Sequence, residues 1–299
     1  MQMYAEEHAM FKGSIVALVT PFRDGAVDEE TLRRMVDYQI ENGTDGISPC
    51  GTTGEASTLD YDEHMRVIEI VIQQVNGRVP VIAGTGSNST TEAIELTRKA
   101  KKLGADGVLL VSPYYNKPSQ EGLYRHFRAI ADAVDIPQVL YNVPGRTGVN
   151  MLPQTVARLA EHDNIVAIKE ATGSLQQASE LMEMCGDKID VISGDDFITF
   201  PMMACGATGV ISVVANIMPR EVARLVDAFY DGDMDEARRL HLSLLNISNA
   251  MFIETNPVPV KTAAALMGLC AEELRLPLAP LGDASRATLC AVMKSYGLI

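Results

Sequence analysis

Lys169 stands in the middle of an apolar run, IVAIKEAT from Ile165 to Thr172, where an ammonium group without a partner costs several kcal/mol. Two readings account for it. The aliphatic stem packs while the charge snorkels to water at a strand end, or the amine itself is the chemistry, condensing with a ketone to form a Schiff base. At an ordinary pKa near 10.4 only about one lysine in 2,500 is neutral at pH 7, and burial can lower that pKa by roughly 3 to 5 units. On a strand, Ala167 and Ala171 share the side of Lys169, while Val166, Ile168 and Glu170 take the other. Small neighbours leave room that a snorkelling lysine does not need, and spacing alone leaves both readings open. An imine also needs a proton relay, which Tyr141 with Thr53 and Tyr115 could supply.

Other polar groups are weaker signals. GTTGE, Gly51 to Glu55, offers backbone N–H groups and two hydroxyls to a small carboxylate; a glycine-rich turn is equally an ordinary tight connection. Tyr141 reads equally as an aromatic lining a barrel top. Arg146, within Pro144-Gly-Arg-Thr-Gly148, is by default a solvated loop charge, and over a barrel mouth it is what a second carboxylate requires. GTGSN at 84–88 lacks the dinucleotide-binding spacing. The histidines are scattered without HExxH or paired spacing, and Gly194-Asp195-Asp196 reads as a strand-end turn rather than a magnesium site. No Walker or serine-nucleophile motif occurs, so neither metal nor cofactor is expected and the chemistry falls to side chains.

Positioning these groups requires a scaffold. Eight apolar runs recur, SIVALVTP from Ser14, GISPC from Gly46, VPVIAGTG from Val79, GVLLVSP from Gly107, PQVLYNVP from Pro137, IVAIKEAT from Ile165, IDVISGD from Ile189 and TGVISVVAN from Thr208. Amphipathic stretches such as EETLRRMVDYQIENG and TEAIELTRKAKKLGADG separate them. That alternation predicts an α/β fold, a (β/α)8 TIM barrel over 1–232 with a short N-terminal extension (Met1 to Met10), and a C-terminal helical region over 233–299. In such a barrel the catalytic groups sit at the C-terminal ends of the strands, which is where GTTGE, Asn88, Tyr114, Tyr115, Tyr141 and the PGRTG loop fall.

Composition narrows the partners. A formal charge of −14 and no basic cluster argue against nucleic acid, and an anionic substrate needs a local positive group. Five cysteines, widely spaced and without a CxxC pair, fit reduced thiols in a cytoplasm. No signal-like or membrane-spanning apolar run is found, so a soluble cytoplasmic protein is expected.

With PCGTTGEASTL, PVIAGTGSNST, SPYYNKPSQEGL, YNVPGRTG, IKEATG, SGDD, GVISVVANI and NPVPVK in order from about Phe11 to Ile299, the chain closely resembles the dihydrodipicolinate synthase (4-hydroxy-tetrahydrodipicolinate synthase) family of Schiff-base-forming lyases. The resemblance implies condensation of pyruvate with L-aspartate 4-semialdehyde on the diaminopimelate route to lysine. It implies Lys169 as the imine-forming nucleophile and Tyr141 as the proton-transfer residue. Thr53 would link Tyr141 to Tyr115, which reaches in from a neighbouring subunit. Thr52 and Thr53 would hold the pyruvate carboxylate, Ile211 would line the pocket, and Arg146 would position the semialdehyde carboxylate. A homotetramer built from tight dimers is implied, as is an L-lysine effector region at Ser57, Tyr61, His64, Asn88, Glu92 and Tyr114. The Tyr61 position is commonly histidine in lysine-sensitive members, a departure here. Two other readings compete: a retro-aldol lyase of a sugar acid using the same lysine, and a catalytically idle barrel that binds pyruvate or lysine.

Overall fold

The computed structural model describes residues 9–299; residues 1–8, most of the N-terminal extension, lie outside the described residues. All eight apolar runs form strands: β1 (Gly13–Ala17), β2 (Gly46–Ser48), β3 (Ile82–Gly84), β4 (Gly107–Val111), β5 (Gln138–Asn142), β6 (Ile165–Glu170), β7 (Asp190–Ser193) and β8 (Gly209–Ser212). They pair in parallel in the order β2-β1-β8-β7-β6-β5-β4-β3. The two free edges meet through a parallel bridge between Ile47 and Val81. There the Ile47 N–H donates to the Pro80 carbonyl at 3.0 Å and the Gly84 N–H to the Pro49 carbonyl at 2.9 Å, so the sheet closes into a barrel. The third run yields a shorter strand than its apolar length suggests, because Pro80 has no N–H to contribute to a ladder. Close approach across this seam requires Gly84, where a Cβ would lie 2.1 Å from the Cys50 carbonyl oxygen.

Strand parity divides the core in two. Ile15, Ile82, Leu109, Val139, Ala167, Ile192 and Ile211 fill the barrel interior, with Tyr141 and Val143 above them. Phe11 closes the floor: its ring packs so near β4 that a Cβ on Gly107 would come within 2.6 Å of it. Asp190 at the start of β7 accepts from the backbone N–H groups of Met10, at 3.0 Å, and Phe11, and burial pushes its carboxyl up to about 6. The opposite parity, including Val16, Ile47, Val108, Leu140, Ile168, Val191 and Val210, packs against the surrounding helices.

Those helices are α1 (Glu29–Glu41), α2 (Tyr61–Val75), α3 (Thr90–Leu103), α4 (Gln120–Ala133), α5 (Pro153–Leu159), α6 (Leu175–Cys185), α7 (Thr199–Ala204) and α8 (Pro219–Tyr230). Their starts are fixed by side-chain caps: Asp28, Ser89, Ser119 and Ser174 each accept a hydrogen bond from the first turn, and Asp60 forms a reciprocal capping box with Glu63. The C-terminal region forms α9 (Met234–Ala250), α10 (Val258–Leu266) and α11 (Asp283–Ser295). PGRTG is a short helical turn over Pro144–Thr147 rather than an open loop, because Pro144 starts it and Gly148, at φ 72°, ends it. Among the described residues no helix is long and apolar enough to cross a membrane, and all five cysteines are free thiols.

Candidate active site

Lys169 projects from β6 into the top of the barrel, and β5 and β6 pair so that Tyr141 lies directly beside it. Its Nζ sits 4.5 Å from the centroid of the Tyr141 ring. The side chain is 5% exposed, and Lys169 forms no ion pair among the described residues. Burial lowers its pKa to about 8; the carboxylates of Asp195 and Asp196 oppose that shift and Arg146 adds to it. The snorkelling reading of Lys169 therefore fails, since a lysine reaching water would be neither so buried nor so easily deprotonated. Room for the stem comes from Ala167, Ala171 and Gly194, where a Cβ would lie 3.1 Å from Lys169 Cε and 2.6 Å from Ala171 Cβ.

Tyr141 is itself buried, which pushes its phenol up to about 12; the charge of Arg146 and a hydrogen bond with Thr52 pull the other way. The phenol is thus neutral at ordinary pH and able both to donate and to accept a proton. The relay read from the sequence needs correction at its second member. Successive residues of the tight GTTGE loop face opposite ways: Thr52 lines the cavity beside Tyr141, whereas Thr53 is buried with its Oγ1 accepting from Asn256 Nδ2 at 2.9 Å. Thr52, not Thr53, is the neighbour of the phenol. Tyr115 does not line the cavity of its own chain; it is 89% exposed with φ 73°, a left-handed conformation costing a bulky residue about 1–2 kcal/mol.

A cavity of about 430 Å³ opens beside Tyr141 and Thr52; Lys169, whose Nζ lies against the Tyr141 ring, is not among the residues that line it. Tyr141, Thr52, Val143 and Arg146 line it, as do Ser57, Tyr61, His64, Glu92 and Tyr114, and the Glu92 charge acts on Tyr61, His64 and Tyr114. Arg146 is exposed at the mouth, steadied by donation from its Nη2 to the Asn256 carbonyl at 2.9 Å. Ile211 is fully buried in the barrel interior, paired with Ile15 across β1 and β8. Five of the six residues assigned to an effector region therefore line the same cavity as Tyr141 and Arg146. Asn88 does not line it, and its side-chain amide donates to the Tyr114 carbonyl at 3.2 Å. Ser87 donates to the Glu92 carboxylate, the His64 ring bonds the Gly84 carbonyl oxygen at 2.7 Å, and burial lowers the His64 pKa. Tyr61 lies under Lys99, whose Nζ is 4.0 Å from the ring centroid.

The acidic pair after β7 serves the scaffold on one side and the lysine on the other. Asp196 accepts from the Ser212 hydroxyl and from the backbone N–H groups of Val213 and Val214, at 2.9 and 3.2 Å, tying β7 to β8. Burial pushes Asp195 up to about 6, against the pull of Lys169. No cluster of three or more metal-ligating side chains occurs among the described residues.

Sequence reasoning passed over Asn256, Lys261 and the role of Glu55. Lys261 Nζ donates to Glu55 Oε1 at 2.6 Å with both side chains essentially inaccessible to water. A signal existed, because Lys261 interrupts the apolar stretch VPVKTAAAL just as Lys169 interrupts its strand.

An amine that titrates near neutrality, beside a phenol and under an exposed guanidinium, suits a keto acid that must be held by its carboxylate while its ketone reacts. Comparison with known proteins agrees. The 4-hydroxy-tetrahydrodipicolinate synthase of Pelobacter propionicus is 99% identical over 290 residues, 97% of this chain and 100% of that protein. A chloride-inhibited dihydrodipicolinate synthase from Acinetobacter baumannii complexed with pyruvate superposes with a TM-score of 0.94 at 50% identity, covering 96% of this chain and 99% of that one. One from Cyanidioschyzon merolae with lysine bound gives 0.94 at 43% identity, covering 98% and 100%. Residues 10–296 match the family as a whole, and the chain belongs to the dihydrodipicolinate synthetase family.

Proposed function

We propose that Lys169 is the nucleophile through which this lyase, a 4-hydroxy-tetrahydrodipicolinate synthase by its relatives, joins pyruvate to L-aspartate 4-semialdehyde on the diaminopimelate route to lysine. The observation that carries the reading is the buried amine of Lys169, lowered to about 8 beside the Tyr141 phenol. The neutral amine adds to the pyruvate ketone and water leaves, giving the imine. Loss of a methyl proton gives the enamine, whose carbon attacks the aldehyde carbon of the second substrate. Attack of that substrate's own amine on the imine carbon closes the ring and releases Lys169, so one water is formed per turnover. Tyr141 shuttles the protons, with Thr52 as its hydrogen-bond partner. The Thr52 hydroxyl and the loop's backbone N–H groups, that of Thr53 included, hold the pyruvate carboxylate, Ile211 bounds the pocket, and Arg146 receives the second carboxylate. That last role favours the synthase over a sugar-acid retro-aldol lyase, and the complete set of acid–base groups disfavours an idle binding barrel.

Tyr115 completes the relay in an assembly, as a homotetramer of tight dimers in which it enters a neighbouring copy; its exposure and strained backbone support this. Molecular mass in solution tests it, and a monomer with full activity refutes it. The part of the cavity around Glu92 receives L-lysine, with weak to moderate inhibition. Glu92 meets an ammonium group, and Lys99 over Tyr61 replaces the more usual histidine environment. Calorimetry with lysine showing no heat, alongside unchanged rates, removes that part of the reading. The free thiols fit a reducing, cytoplasmic setting.

The principal test couples purified protein, pyruvate and aspartate semialdehyde to the next reductase of the pathway. Nicotinamide oxidation is expected, and it should vanish in Lys169→Ala together with borohydride trapping of pyruvate. Trapping that persists in Lys169→Ala places the nucleophile elsewhere.

A further inference from the structure

The loop that carries Thr52 and Thr53 is held at successive residues by groups from distant parts of the chain. Thr53 Oγ1 accepts from Asn256 Nδ2 at 2.9 Å. The Gly54 carbonyl accepts from the Thr20 hydroxyl at 2.7 Å. Glu55 uses both carboxylate oxygens, one for Lys261 Nζ at 2.6 Å and one for the Arg275 backbone N–H at 3.1 Å. Arg275 then reaches past the loop to the Thr58 carbonyl at 2.9 Å and pairs with Glu63. Cys50 and Glu55, the residues bounding GTTG, both adopt left-handed backbone at φ 55° and 54°, a conformation that persists in non-glycine residues only when the surroundings over-determine it. Lys261 and Arg275 lie over the same Phe22 ring, at 3.9 and 4.3 Å from its centroid.

A fully buried ion pair is no more stabilising than well-packed apolar groups of the same volume, so bulk stability does not explain charges here. Geometry does. Two charged groups meeting at hydrogen-bond distance fix position and direction, which contacts between methyl groups leave looser. We propose that the Glu55–Lys261 ion pair, with Asn256 beside it, positions the GTTGE loop for the keto-acid carboxylate, so that its loss weakens pyruvate binding selectively while Lys169 remains able to form the imine. The proposal rests on the reading that Thr52 and Thr53 hold that carboxylate. Glu55 and Lys261 are positioning residues, since neither lines the cavity.

Steady-state kinetics of the full chain carrying Glu55→Gln/Lys261→Met test it, because this variant removes both charges together and leaves neither one unpaired. The expected result is a melting temperature near that of the unaltered chain, a pyruvate KM raised tenfold or more, and a KM for aspartate semialdehyde within twofold. At saturating pyruvate, borohydride should still label Lys169. A pyruvate KM within twofold of the unaltered value in the folded variant overturns the proposal. Glu55→Asp keeps the charge and shortens the tether by one methylene, so it reads the same effect should the double variant not fold: the pyruvate KM should rise several-fold, and an unchanged value is again contrary. Thr52→Val tests the carboxylate site apart from its supports, because Thr52 lines the cavity and takes no part in the contacts to Asn256, Thr20 and Lys261. An unchanged pyruvate KM there removes the carboxylate site and the proposal with it. A raised KM in Thr52→Val with an unchanged one in the ion-pair variants overturns the proposal alone.

Discussion

The titration of Lys169 is the most exposed consequence of the geometry. With a pKa of about 8, about one amine in eleven is neutral at pH 7, against about one in 2,500 for an ordinary lysine. Burial therefore raises the reactive fraction by roughly 200-fold, or about 3 kcal/mol in free energy. The perturbation is pH, and the assay is rapid mixing with subsaturating pyruvate, quenched with borohydride at successive times. From pH 6 to 7 the rate of imine formation should climb nearly tenfold, then flatten above about 8 as the amine becomes mostly neutral. A rate still climbing tenfold per unit at pH 9 would show an ordinary lysine and refute the reasoning. The sign of the linked stability effect also follows. The folded chain holds fewer protons on this group than the unfolded chain between about 8 and 10.5, so stability rises with pH through that window. Below it, the buried charge costs the fold about 3 kcal/mol. Lys169→Met should be inactive yet more resistant to denaturant at pH 7, by less than that figure because Asp195 loses a counter-charge.

Three other outcomes are expected. Arg146→Ala should trap pyruvate normally but lose kcat/KM for aspartate semialdehyde by roughly 10- to 150-fold, the equivalent of one charge-assisted contact; unchanged condensation kinetics would displace the second carboxylate from Arg146. Tyr141→Phe should lower kcat by about 10²- to 10⁴-fold, the usual range for a lost general acid–base group, with the fold intact by circular dichroism, and activity within a few-fold of the original would move proton transfer elsewhere. Gly84→Ala drives a methyl into the Cys50 carbonyl at 2.1 Å and should destabilise by about 2 kcal/mol or more; an unchanged denaturation midpoint would show that the β2–β3 seam relaxes freely.

Most of the scaffold was legible because each barrel strand leaves a continuous apolar run, and eight of them alternating with capped amphipathic stretches admit few other folds. Lys169 was legible for the same reason, as a charge where the run predicts none. Its state was not, since snorkelling and burial give the same one-dimensional pattern and only the packing of Ala167, Ala171 and Gly194 separates them. The assignment of Thr53 beside Tyr141 failed one step lower. In a tight turn, adjacent residues diverge by backbone angles that spacing does not encode, and Thr52 takes the cavity side. Asn256 and Lys261 were passed over because their partners, Thr53 and Glu55, lie some 200 residues earlier.

That separation has a consequence for synthesis. Glu55 and Lys261 are 206 residues apart in the chain, so at about 5–20 residues per second a nascent chain carries Glu55 for roughly 10–40 s before Lys261 exists. Throughout that interval the strands that bear Tyr141 and Lys169 are also emerging. A half-made barrel therefore has its nucleophile before it has a finished carboxylate site, and the competence to capture pyruvate arrives late, when the C-terminal helices leave the ribosome and lock the loop from the other end of the sequence.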